Sequence, residues 1–314
     1  MNHRIILAGG SGLLGQLLAR RFRARGDDVV VLTRHPQTGR GAREMAWDGA
    51  TIGPWASEVE GAAAVINLAG RSVDCRYHER NRRLIWDSRV NSTRVLGEAI
   101  ARCVVPPPVW LNASTATIYK HSLDRPMDEA TGTIGATPEA KDGFSVAVAQ
   151  AWEQTLDAAA APATRKVALR VAMVLGRDGG VLPVLRRLVR LGLGGSMAGG
   201  RQFMSWIHED DFGRAIEWLL EHDDMAGPVN LAAPEPLPNA EFMRQLRAAC
   251  GVPFGLPAAR WMLEAGAVFL RTETELILKS RRVVPGRLTA AGFAFRHPQL
   301  ADALADLGPC VASS

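Results

Sequence analysis

Two apolar periods alternate along the first half of this chain. Ile5 to Ala8 form a short continuous run suited to a buried strand. Leu13, Leu14, Leu17, Leu18 and Phe22 then recur at helical spacing, with Arg20, Arg21 and Arg23 on the other side. The strand signature returns at Val29-Val30-Val31-Leu32, Ala64-Val65-Ile66-Asn67-Leu68, Val109-Trp110-Leu111-Asn112 and Val167-Ala168-Leu169-Arg170-Val171. Helical patterns over residues 81–102 and 146–160 precede the last two. Repeated strand-then-helix order predicts an α/β fold, a doubly wound parallel sheet covered by helices on both faces.

Beyond Gly176 the pattern changes. The stretch Gly192 to Gly200 separates a helix from the segment Phe203 to Ile207, and Val229-Asn230-Leu231 reads as one more strand. Helices follow near Asn239–Cys250, Ala258–Leu270 and Gln299–Leu307. The organisation predicted is a nucleotide-binding domain over 1–176, with 203–235 returning to it. A smaller substrate lobe then comprises 177–202 and 236–314. Ligands of open α/β sheets bind beyond the carboxyl ends of the strands, so such a lobe would enclose a cleft there.

The first strand-to-helix turn carries Gly9, Gly12 and Gly15. Such a turn leaves backbone N–H groups at a helix start free to meet an anion. Ser11 adds a hydroxyl for phosphate, and Leu13 and Leu14 open the helix. The second strand ends Leu32-Thr33-Arg34-His35, without the carboxylate that would accept from two ribose hydroxyls. Arg34 instead offers a forked donor to a 2′-phosphate, so NADP(H) is favoured over NAD(H). Asp48, in Trp47-Asp48-Gly49, is a candidate acceptor for the adenine amine, with a turn-forming aspartate as the alternative.

Composition narrows the classes. The chain has 314 residues, 47% hydrophobic and 22% charged, and a net charge of +5 carried mostly by dispersed arginines. Arg186, Arg187 and Arg190 cluster on an amphipathic helix without interleaved aromatics, which argues against nucleic acid as a partner. No apolar stretch is long enough for a membrane span, and a strand begins within a few residues of Met1. Cys75, Cys103, Cys250 and Cys310 show neither metal spacing nor a dense disulfide framework, and the seven histidines are dispersed, so no metal is expected. The expectation is a cytoplasmic protein, monomer or homodimer, acting on a small molecule.

Further wording fits one family. Gly9-x-x-Gly12-x-x-Gly15 with Asn67-Leu68-Ala69-Gly70 resembles the extended short-chain dehydrogenases. Asp87-Ser88-Arg89-Val90, Trp152-Glu153, Gly199-Gly200-Arg201-Gln202 and Ser205-Trp206-Ile207-His208 resemble the epimerase-like branch related to the bacterial YfcH proteins. So do Gly227-Pro228-Val229-Asn230, Pro234-Glu235-Pro236 and Gly292-Phe293-x-Phe295. The resemblance runs nearly end to end. It implies a Rossmann-type domain, bound NADP(H) touching Leu68, Ala69, Gly70 and Ser114, and oxidoreductase or epimerase chemistry, with a sugar nucleotide as one candidate substrate.

One expected device is absent. In the wider family a tyrosine moves the proton, assisted by a lysine four residues later that lowers its pKa. Four residues beyond Tyr77 and Tyr119, the only tyrosines, stand Asn81 and Leu123. Aligning Trp152-Glu153 on the family pattern puts Ser145 at the tyrosine position, Ala149 at the lysine position and Arg89 where a supporting Asn belongs. Thr115 does match the position that orients the substrate oxygen. The alternative proton donors are Tyr119 and His208, then Lys120 or His121; Arg89 and Arg201 are candidates to clamp an anionic substrate, and Asp210 or Asp211 to order the loop near His208. A second reading is a catalytically silent NADP(H)-binding regulatory or interaction protein.

Overall fold

A computed structural model describes residues 3–37, 41–264 and 273–310. Seven strands form the central sheet: β1 Arg4–Ala8, β2 Asp28–Thr33, β3 Arg43–Ala46, β4 Ala64–Asn67, β5 Val109–Thr115, β6 Arg165–Val171 and, from further along, Gly227–Leu231. Every neighbouring pair is parallel, and β4 and β2 flank β1 on opposite sides. The sheet order therefore reverses at β1, and the switch point lies at its carboxyl end. β3 was not legible in the sequence because Arg43–Ala46 is half exposed and lacks an apolar run.

Side-chain alternation along β1 explains the two covered faces. Ile5 and Leu7 enter one core with Leu18 and Phe22 of α1 (Leu13–Ala24) and with Phe212, Ile216 and Leu219 of a later helix. Ile6 and Ala8 enter the other, with Trp55 and with Val95, Leu96 and Ile100 of α2 (Glu79–Ala101). A strand sealed on both sides reads as a continuous apolar run, which is why these segments are visible in sequence. On the second face α3 (Gly143–Asp157) packs beside α2.

A third core brings Leu182, Leu185 and Val189 of α4 (Val181–Arg190) against Phe242, Met243 and Leu246 of the helix Asn239–Ala249, with Leu300 and Leu304. The helix expected at Ala258–Leu270 is described at 260–264; its remainder lies outside the described residues. Cys250 and Cys310 form a disulfide across 60 residues of chain. Spacing could not reveal that pair, because helix packing is what brings its ends together. Among the described residues no helix is long and apolar enough to cross a membrane.

Candidate cofactor-binding and catalytic site

The turn between β1 and α1 assigns each glycine a different duty. Gly9 sits at φ +73°, and a Cβ there would lie 2.7 Å from the Ala69 backbone. At Gly15 a Cβ would lie 2.3 Å from Gly10, so α1 packs on its own entry loop. Gly12 is different: a Cβ would meet only the Gly9 carbonyl, at 3.8 Å. Gly12 also caps α1 without any side-chain oxygen, and the first turn holds no acidic residue. The N–H groups of Leu13 and Leu14 find no backbone acceptor among the described residues, and the helix dipole stands behind them. Ser11 flanks the turn, its Oγ accepting from the Thr33 hydroxyl at 3.2 Å.

The neighbouring loops complete the rim. Arg34 follows β2 exposed, and it makes no hydrogen bond or ion pair among the described residues. Asp48 takes the alternative role: one carboxylate oxygen accepts from the Ala50 and Thr51 amides at 2.8 and 2.9 Å, the other from the Thr51 hydroxyl. Those bonds, the Thr51 hydroxyl first, hold its carboxyl below the usual range. After β4 the loop is fixed by Leu68 N–H donating to Ala8 and Ala69 N–H donating to the Asn67 side chain. The Arg89 guanidinium lies under it, 3.2 Å from where a Gly70 Cβ would be. Arg89 also donates to the Arg71 and Ile85 carbonyls and covers the Trp152 ring. Burial draws Arg89 down to about 10, against the pull of Tyr77, so it is still cationic at neutral pH.

At the end of β5 the candidates separate. Thr115 Oγ accepts from the Thr117 amide at 3.1 Å, keeping its own hydrogen to give. Ser114 donates to Glu153 at 2.6 Å, and Glu153 is gripped by both arms of Arg170 at 2.7 and 2.9 Å. Tyr119 is 1% exposed; its hydroxyl accepts from Arg170 at 2.8 Å and donates to Asn230 at 3.0 Å. Burial raises its pKa despite Arg170. Tyr119, one of the candidate proton donors, is therefore a sealed member of a core network, which spacing along the chain could not show. Lys120 is exposed, and His121 Nδ1 accepts from the Ser280 amide.

His208 lies elsewhere, capping the helix Glu209–Glu221 with Nδ1 accepting from Asp210 N–H. His297 stacks on it, and Asp306 lies 3.3 Å from its Nε2. These three offer ligand atoms within 4.8 Å of one another, a grouping the dispersed histidines had not suggested. The tautomer opposes a metal, since a ring accepting at Nδ1 carries its proton on Nε2 and presents a donor. Asp211 is buried and accepts from the Arg296 and His297 amides, while Asp210 pairs with Arg21 and Arg296. Arg201 is exposed and makes no hydrogen bond or ion pair among the described residues; the side-chain amide of the next residue, Gln202, donates to the Met197 carbonyl.

Sequence reasoning missed a cluster delivered from far along the chain. Ser145, at the family's tyrosine position, donates to Glu275, and Ala149, at the lysine position, is fully buried. Lys279 pairs with Asp142 and reaches the Thr117 carbonyl at 2.5 Å; Arg281 Nε donates to the Thr117 hydroxyl at 3.0 Å. Their separation from the strand ends by some 130 residues or more left no local signal.

Residues 5–232 match the model of the NAD dependent epimerase/dehydratase family, and residues 258–307 match a domain of unknown function, DUF1731. The human epimerase family protein SDR39U1 is 32% identical over 309 residues, covering 97% of this chain and 99% of the relative. An epimerase family protein of Mycobacterium leprae is 32% identical over 301 residues, covering 96% and 94%. A crystal structure of human SDR39U1 with NADPH superposes with a TM-score of 0.84 at 30% identity, covering 97% of this chain and 98% of that one.

Proposed function

The chain belongs to the NAD dependent epimerase/dehydratase family, and from that premise we propose that it binds NADP(H) and acts as an oxidoreductase or epimerase on a small molecule. The carrying observation is the amide cradle at Gly12, supported by the exposed Arg34, which has no partner among the described residues and would face the adenosine end. Gly9, Ser11, Leu13, Leu14 and Gly15 would surround the diphosphate, Arg34 the 2′-phosphate, and Leu68 to Gly70 the far ribose. The NADPH in the human relative supports the same choice of nucleotide. When bound, a nicotinamide supplies or takes up a hydride. This chain's residues must then orient an oxygen, through Thr115, and move a proton to or from it. Arg201, and Arg89 beneath the loop, suit a substrate carrying negative charge, a sugar nucleotide included.

Titration calorimetry on nucleotide-stripped protein is the test. NADPH should bind more tightly than NADH, and absence of heat with both would defeat the proposal. A second reading, an NADP(H)-binding protein without turnover, is favoured by Ser145 and Ala149 at the family's catalytic positions and by the sealed hydroxyl of Tyr119. Loss of acid–base assistance costs about 10²–10⁴-fold in rate while leaving binding intact. The two readings divide on whether another proton donor stands at the strand ends.

A further inference from the structure

The region vacated by the tyrosine–lysine pair is refilled with titratable groups. Ser145 stands on the first turn of α3, half exposed, and its hydroxyl bonds to a Glu275 carboxyl that is 4% exposed. Beside them Tyr77, from the loop joining β4 to α2, is 9% exposed; its hydroxyl interacts with that of Ser145 but finds no well-formed hydrogen bond among the described residues. That loop is tied to the same C-terminal segment, since the Tyr77 amide donates to Glu273 at 2.7 Å. An unmade bond on a nine-tenths buried phenol, beside a half-open hydroxyl, is the arrangement a ligand oxygen would complete.

We infer that Ser145 and Glu275 are the proton-transfer pair of this site, with Tyr77 as a second hydrogen-bond donor to the same substrate oxygen. The inference rests on the nucleotide reading above, which supplies the hydride, and assigns a task to the C-terminal segment: it lends the acid. As hydride reaches a carbonyl carbon, the C=O π pair moves onto oxygen. The Ser145 O–H, which points at Glu275 in the structure, swings to that oxygen and gives it its proton, and the Glu275 carboxyl proton passes to Ser145 Oγ, leaving a carboxylate. Oxidation runs the same transfers backwards. Serine alone is too weak an acid for this, so the carboxyl behind it is what makes the step feasible.

The surroundings suit a carboxyl that holds its proton. Burial raises the Glu275 pKa, and Asp142 adds to it; Ser145, Arg281 and Lys279 oppose. Lys279 is committed to Asp142, so its charge is largely answered before it reaches Glu275. Tyr77 in turn is kept neutral, chiefly by burial, and so keeps a hydrogen to donate. Glu275 acts through Ser145 and is a positioning and proton-storing residue; Ser145 is the group placed against the substrate.

Two measurements on the full chain test this without needing a substrate. In Ser145→Cys, alkylation of residue 145 by iodoacetamide is followed by peptide mass analysis, with Cys103 at the far end of α2 as internal reference. NADPH at a hundred times its dissociation constant should slow labelling at 145 about a hundredfold and leave Cys103 unchanged. Equal rates with and without a nucleotide that calorimetry shows to be bound would overturn the inference while sparing the nucleotide reading. Infrared spectroscopy gives the independent check. Wild-type protein should show a protonated-carboxyl band at neutral pH that vanishes in Glu275→Gln. Its absence from wild type would mean an ionised structural glutamate, and the pair would be abandoned.

Discussion

Arg34 and Tyr119 show how one residue's partners decide its role. Arg34 has none among the described residues, so Arg34→Asp should weaken NADPH by about 10–100-fold, the loss of a charge-assisted contact of about 1.5–3 kcal/mol. NADH should change little, and equal losses in calorimetry would refute the phosphate role. Tyr119 has two partners in the core. Tyr119→Phe leaves Arg170 and Asn230 each short of a bond and should cost about 1–3 kcal/mol in urea denaturation. NADPH affinity should hold. Arg34 became a candidate from its place after the second strand; the sealing of Tyr119 was not legible, because nothing along the chain tells a cleft-facing phenol from a buried one.

Among the elements, the β1–α1 turn and the helix capped by His208 make contrasting predictions. Gly15→Ala forces a methyl into the Gly10 backbone and should unfold the turn, with a fall in thermal midpoint. Gly12→Ala meets no such obstacle and should cost under about 1 kcal/mol of stability. Its methyl projects into the cradle, so NADPH affinity should drop at least about tenfold. If Gly12→Ala binds NADPH normally, the diphosphate lies elsewhere. For His208, burial first and His297 second lower the pKa, while Asp306, Asp211 and Asp210 resist. The folded value is thus below the unfolded one, about 6.5, and the unfolded chain takes up the proton first. Stability is full above that value and falls as pH drops toward the folded pKa. His208→Asn keeps a cap and should flatten the decline in denaturation midpoint between neutral and mildly acidic pH.

For the whole molecule, the C-terminal segment is the decisive part. It closes the third core, sets Glu275 on Ser145, and is anchored near its end by the Cys250–Cys310 bond. Closing a loop of 60 residues should contribute up to about 4 kcal/mol. Cys310→Ser is expected to lose part of that in urea denaturation and to bind NADPH unchanged, because the cradle lies on β1 and α1. A matching loss of affinity would show that the segment's anchoring reaches the nucleotide.

The sequence by itself determined the doubly wound sheet and the glycine turn. Both arise from contacts close along the chain: strands buried on two faces leave apolar runs, and a tight turn against a second loop demands residues without side chains. It also showed that the tyrosine–lysine pair is missing. Only the tertiary structure decided what fills the gap. It sealed Tyr119 behind Arg170, committed Asp48 to its turn and delivered Glu275, Lys279 and Arg281 to the strand ends. Those placements depend on how distant segments pack, and a polar side chain carries no periodic signal of the partner it will meet.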